Sequence, residues 1–144
     1  MHLLRVRRQL LSINLPDGYR LRVLDEVDST NAEAARIVAQ LAGPEWVLAR
    51  RQTNGRGRRG RAWSDPVGNF AASLVLFPQH PPDQIALRSF VAALALFDAL
   101  VATTGRSDTL AVKWPNDVLL NGGKVAGILL ETTALSGGGF ALTI

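Results

Sequence analysis

The chain contains no cysteine, which removes a disulfide framework, a thiolate zinc site and a cysteine nucleophile together. Its two histidines, His2 and His80, share no metal-ligand spacing, so no histidine-based metal cluster is expected. Aromatic residues make up 6% of the chain, few for the stacking platform of a single-strand nucleic-acid binder. The longest unbroken apolar run, Phe90 to Phe97, is well short of the ~20 residues that span a bilayer. The opening Met1-His2-Leu3-Leu4-Arg5-Val6-Arg7-Arg8 breaks its apolar residues with charge, unlike a secretion signal. These absences point to a soluble cytoplasmic protein without a membrane partner. No glycine-lysine-serine or glycine-lysine-threonine ending occurs, so any use of a nucleotide rests on something other than a P-loop.

What remains is 144 residues of which 47% are apolar, enough for one packed core and too few for two well-developed ones. No internal repeat or low-complexity linker divides the chain. The net charge of +4 is gathered around residues 50–61. That locality favours one anion site over a generally cationic surface.

The periodicities predict a sheet packed with helices. Tyr19 to Val27 reads as an extended segment, followed by a helix in which Thr30 and Glu33 have capping-box spacing and Ser29 is a competing cap. Gly43-Pro44 should end it. Trp46 to Ala49 and Asn69 to Phe77 read as buried strands. From Asp83 onward, Leu87, Phe90, Val91, Leu94, Phe97 and Val101 recur at helical spacing, predicting the longest helix, with alanines that allow close packing on a sheet. The last third reads as a meander: Leu110 to Trp114, Val118 to Leu120, a turn at Asn121-Gly122-Gly123, Val125 to Thr132, a glycine turn and Phe140 to Ile144. The expected class is α/β (α+β), a mixed and mostly antiparallel sheet with helices against it. The final apolar strand has no closing element. Truncation is the expectation, and coverage of that strand by a second copy in a homodimer is left open.

Two segments could carry chemistry. In Gln52-Thr53-Asn54-Gly55-Arg56-Gly57-Arg58-Arg59-Gly60-Arg61-Ala62-Trp63, glycines let backbone amides approach a ligand and guanidinium forks match carboxylate or phosphate. A solvated surface loop or a nucleic-acid contact are the alternatives for the same run. The spacing Gly55-x-Gly57-x-x-Gly60 lacks the helix and ribose-binding acid of a dinucleotide fingerprint. In Lys113-Trp114-Pro115-Asn116-Asp117, proline restricts a turn carrying a carboxylate that could ligate magnesium and an amide that could meet a nucleobase or sugar. The plainer reading is an Asx turn that fixes the sheet. Lys124 could reach phosphate or simply sit in water, and Gly127 inside an apolar strand marks either a close approach or a bulge. At Asp28-Ser29-Thr30-Asn31, helix capping competes with binding of a polar head group.

These blocks, with Gly123-Lys124-Val125-Ala126-Gly127-Ile128-Leu129, closely resemble the catalytic domain of biotin protein ligases, from about residue 20 to the chain end. The resemblance implies a fold related to class II aminoacyl-tRNA synthetases and lipoate ligases. It also implies that ATP activates biotin to biotinyl-5′-AMP, with Mg2+, before transfer to a lysine of a biotin carboxyl carrier protein. By motif position, Ser29, Thr30 and Gln52 would meet the biotin ureido group, with Gly55 and Gly127 making room. Arg56 and Lys124 would meet its carboxylate, and Arg56, Arg58, Arg61, Trp63, Asn116 and Asp117 would serve the nucleotide. Lys124, Arg58 and Asp117 would be catalytic, and Asp117 a magnesium ligand. The resemblance further implies a single domain over residues 1–144, with neither the winged-helix DNA-binding domain of the repressor type nor the small C-terminal domain, and hence no DNA partner. A noncatalytic fragment, a lipoate-type ligase and a basic nucleic-acid-binding domain are the competing readings.

Overall fold

The computed structural model describes residues 14–144. The readings made on Met1 to Arg8 lie outside the described residues. Five strands, β1 (Arg20–Leu24), β2 (Glu45–Ala49), β3 (Ala71–Leu76), β7 (Glu131–Ala134) and β8 (Phe140–Thr143), form one sheet in the order β1-β2-β3-β8-β7. β1 and β2 run parallel and every other neighbour pair is antiparallel. A second sheet of three antiparallel strands holds β4 (Leu110–Lys113), β5 (Asp117–Leu120) and β6 (Gly123–Gly127). The expected meander is therefore split. The stretch read as one strand from Val125 to Thr132 leaves the small sheet after Gly127 and joins the large one at Glu131. An apolar run carries no mark of where a strand changes sheets.

Helix α1 (Thr30–Ile37) packs on β2, β3 and β8. Strict alternation on β2 and β3 turns Val47, Ala49, Ala71, Ser73 and Val75 inward, and Ala34, Ile37, Val38 and Ala141 complete the core. Ser29 is the N-cap, accepting from the Ala32 amide, so the Thr30–Glu33 capping box does not form. The Thr30 hydroxyl is engaged with Ser73 instead. The helix gives way to a 3-10 turn at Val38–Gln40, ahead of Gly43-Pro44.

Beside the cap, Arg36 reaches Asp28 Oδ1 at 2.6 Å and Glu33 Oε2 at 2.8 Å. Hydrogen bonds from Arg36 and from the Ser29 amide hold the Asp28 carboxyl well below the usual carboxylate range. A depressed carboxyl contributes stability above its unfolded value and loses it as pH falls below that value. Both side chains are about half exposed, so the effect is modest. Between about pH 5 and pH 3, urea midpoints should fall further for the natural chain than for Asp28→Asn, which keeps the oxygen but not the charge. Equal falls would remove Asp28 from the acid response.

The longest helix forms as expected, with a short lead-in α2 (Pro82–Ala86) and a main body α3 (Arg88–Thr104) closed by left-handed Gly105. Its expected core face is only partly covered. α3 packs on β4 and β5, where Ala93 is buried, but Leu87, Val91 and Leu94 are exposed, Val91 by 65%. The alanines allow the close approach that the sequence suggested, and Phe97 and Val101 are half-buried. Gln84–Thr104 is long and apolar enough to cross a membrane by length and composition, although Arg88 and Asp98 interrupt it. In the structure this stretch packs against β4 and β5.

Candidate functional site

The arginine-glycine run forms a closed loop. A bridge from Val27 to Gln52 extends the parallel pairing of β1 and β2, so the loop leaves the sheet beside the start of α1. Trp63 N donates to Gly55 O and Gly57 N to Arg61 O, which brings the two arms of the loop together. The tip is a 3-10 turn, Arg58–Gly60, in which Arg59 and Gly60 have φ of 59° and 70°. Gly55 sits in a crowded place: a Cβ there would lie 3.2 Å from both Gln52 Nε2 and the Trp63 carbonyl oxygen. The two arginines just before the run are paired although exposed. Arg50 and Arg51 pair with Asp25 and Glu26 at 3.4 and 2.9 Å, on the turn before α1.

At the base of the loop, Gln52 Oε1 accepts from the Thr30 amide at 2.8 Å and lies 3.1 Å from the Thr30 hydroxyl. Ser73, from the middle of β3, hydrogen-bonds to Thr30 Oγ1 and Asn31 Oδ1. Asn31 in turn donates to Glu131 Oε2 at 2.9 Å, and Arg56 reaches the same oxygen at 3.0 Å. A chain of hydrogen bonds therefore runs from Gln52 through Thr30, Ser73 and Asn31 to Glu131 and the Arg56 guanidinium. Ser29, Thr30, Asn31 and Ser73 are all buried.

A second cluster stands on the small sheet. Lys124 Nζ lies 2.7 Å from Asp117 Oδ1 and 5.1 Å from the centre of the Trp63 ring. A Cβ on Gly127 would meet Lys124 Cε and Nζ at 2.9 Å and Trp63 at 3.5 Å. The glycine thus lets the lysine lie across the strand beneath the indole. Trp63 ties this cluster to the arginine loop. Asn116 Nδ2 donates to Ile128 O at 2.6 Å, and Ile128 N returns a bond to Asn116 O. The side-chain amide thereby fastens the loop before β5 to the crossing between the sheets, a contact twelve residues away rather than a local Asx turn. Trp114 is 73% exposed and meets Phe90 in a tilted ring contact with centroids 5.9 Å apart.

The structure brings Ser29, Thr30, Gln52, Gly55 and Arg56 to one end, and Trp63, Asp117, Lys124 and Gly127 to the other. Arg58 and Arg61 are exposed on the loop and make no ion pair among the described residues. Three partners went unmentioned by the sequence motifs. Glu131 and Ser73 have just been placed, and Asp65 accepts from the Gln52 amide at 2.9 Å. A lone serine between inward-facing Ala71 and Val75, and a carboxylate closing an apolar run at Glu131, were the available signals.

Residues 23–144 match the Biotin/lipoate A/B protein ligase family. The chain belongs to this family. It is 57% identical over 122 residues to a biotin--[acetyl-CoA-carboxylase] ligase of Paracoccus denitrificans, covering 85% of this chain and 51% of that protein. It is 36% identical to the bifunctional ligase/repressor BirA of Escherichia coli over 84% of this chain and 37% of that one. Among solved structures, the biotin protein ligase from Aquifex aeolicus in complex with biotin and ATP aligns with a TM-score of 0.71 at 33% identity, covering 86% of this chain and 50% of the other. The Leishmania major ligase in complex with biotinyl-5-AMP aligns with a TM-score of 0.73 at 26% identity, covering 90% of this chain and 56% of the other. The mixed α and β architecture is that of these ligases. The chain spans about half the length of the curated Paracoccus relative.

Proposed function

We propose that the chain carries the biotin-activating part of an ATP-dependent biotin protein ligase. The observation that carries this reading is that the arginine loop reaches both ends of the site: its Trp63 meets Lys124 and Gly127 of the separate small sheet, and its Arg56 pairs with Glu131 of the large one. In the reaction, a biotin carboxylate oxygen attacks the α-phosphorus of ATP and pyrophosphate leaves, giving biotinyl-5′-AMP. The amine of a carrier-protein lysine then attacks the acyl carbon, AMP leaves and an amide forms. Two anionic reactants repel one another, and fixed cations are worth most where charge builds in the transition state.

Each side chain then has a task. The Gln52, Thr30 and Ser29 end receives the ureido group. Lys124 and Arg56 receive the carboxylate and acyl-phosphate oxygens, with Arg58 and Arg61 on the loop that covers them. Trp63 faces the adenine and Asn116 supports the adenylate side. Excluding water with that loop protects the mixed anhydride from hydrolysis.

Among the described residues no cluster of three metal-ligating side chains exists. Magnesium carried by a nucleotide needs only one or two protein carboxylates. Asp117 fits that limited need, because its buried Oδ1 has the Lys124 ammonium nearby but no aligned hydrogen bond. Bound there, the ion would neutralise phosphate charge. The acceptor is a biotin carboxyl carrier protein, and the ATP requirement places the reaction in the cytoplasm.

Mass spectrometry of this chain and of a longer form, incubated with biotin, ATP and magnesium, tests the reading. Biotinyl-5′-AMP from either supports it, and competition by lipoate separates the two head groups. No adenylate from either would overturn it.

A further inference from the structure

Both cations assigned to the ligand carboxylate are paired internally: Arg56 with Glu131, and Lys124 with Asp117. The Arg56 pair differs in kind from the second one. Lys124 and Asp117 both belong to the small sheet, whereas Arg56 is on a loop and Glu131 opens β7 of the large sheet, 75 residues away in sequence. Arg56 Nη2 lies 3.2 and 3.0 Å from the two carboxylate oxygens, so it addresses the whole carboxylate. On its other side Glu131 Oε2 accepts from Asn31 Nδ2, an amide buried at the start of α1 and bonded to Ser73. Glu131 is thereby held from beneath by the core while it holds the loop from above. Arg58, Arg59 and Arg61 make no ion pair among the described residues.

We infer that Glu131 is a positioning residue: its carboxylate stands in for the ligand's, holding Arg56 and with it the arginine loop until an anionic ligand takes the guanidinium over. The latch rests on the geometry alone, and the identity of the displacing anion, the biotin carboxylate, rests on the function proposed above. Two like charges cannot both claim Arg56 without repulsion, so the incoming carboxylate must compete with Glu131 for it. About two-fifths of each side chain in the pair is exposed, so the contact is weak enough to exchange. Glu131→Gln keeps an oxygen for Asn31 and removes the charge that holds Arg56.

Limited trypsin digestion of the chain reads the latch directly, because the loop carries its own cleavage sites at Arg58, Arg59 and Arg61. Without ligand, Glu131→Gln should be cut at these sites several-fold faster than the natural chain. Cutting at Arg106, in the connection after α3, should be unchanged and reports intact folding. Arg56→Ala, a change at an exposed side chain, should accelerate the same cuts and serves if the Glu131 variant does not fold. Loop cleavage at the natural rate in a folded variant of either kind would overturn the inference. A third arm adds biotin with ATP and magnesium to the natural chain, which should slow loop cleavage. Faster cutting in the variants with no such ligand protection would leave the latch standing and count against the biotin reading instead.

Discussion

Lys124→Ala should reduce biotinyl-5′-AMP formation by about 10²- to 10³-fold, the usual cost of losing one preorganised group at a charge-building transition state. The measurement belongs in whichever length of the protein forms the adenylate. Lys124 is 41% exposed and packs over Gly127, which has no side chain of its own, so little apolar contact is lost with it. Its removal does strand the buried Asp117 Oδ1, which has no aligned hydrogen bond to fall back on. That stranded oxygen should cost roughly 1–3 kcal/mol of stability. Lys124→Ala/Asp117→Asn removes the unpaired charge, so it should regain stability while adenylate formation stays low. Loss of product with recovered folding separates the chemistry of Lys124 from its structural pairing. Product formed at the natural rate by a folded Lys124→Ala protein would take the lysine out of the reaction.

How much of this site could be read in advance depended on distance along the chain. The Asn121-Gly122 turn was legible because both residues need left-handed backbone, with φ of 50° and 79°, and asparagine and glycine tolerate it best. β3 was legible as a buried strand, but not which of its residues turn inward: Ala71, Ser73 and Val75 are buried, and Leu74 and Leu76 only half so. Gly127 reads from the sequence as either a close approach or a bulge, and the neighbour that needs the room is Lys124, three residues before it. Nothing in the spacing distinguishes a lysine folded back over its own strand from one reaching into water.

The less legible parts all involve two distant segments. Glu131 closes an apolar run and gives no hint that Arg56 meets it, because that contact exists only once the chain has moved from the small sheet to the large one. The positive charge around residues 50–61 looked like a single anion grip, but acids at Asp25 and Glu26 take Arg50 and Arg51 at its start. On α3 the helical period was right and its burial only in part. Periodicity states which residues share a face, and only the packing partner decides whether that face is covered.

Ser73→Ala should destabilise the chain by about 1–3 kcal/mol, a large fraction of a small domain's total stability. Ser73 is fully buried at the centre of β3, where its neighbours Ala71 and Val75 make an apolar residue the natural choice. The hydroxyl has one proton, and the Asn31 amide oxygen can only accept, so that proton belongs with Asn31, and the Thr30 hydroxyl supplies the proton of its contact with Ser73. Alanine would remove the donor while leaving Asn31 buried. A water cannot readily replace it, since water occupies roughly 30 Å³ and deletion of one hydroxyl frees less. Burial of the added apolar surface does not offset this, because the methyl fills no space that the serine left empty. Urea denaturation should show a lower midpoint at an unchanged slope. Ser64→Ala, on the exposed loop, should stay within about 0.5 kcal/mol. The same deletion loosens Thr30 and Gln52, which share the network, so biotin affinity should fall with stability. A Ser73→Ala chain as stable as the natural one would mean that Asn31 finds another donor, and the connection from the head-group end to Glu131 would lose its middle.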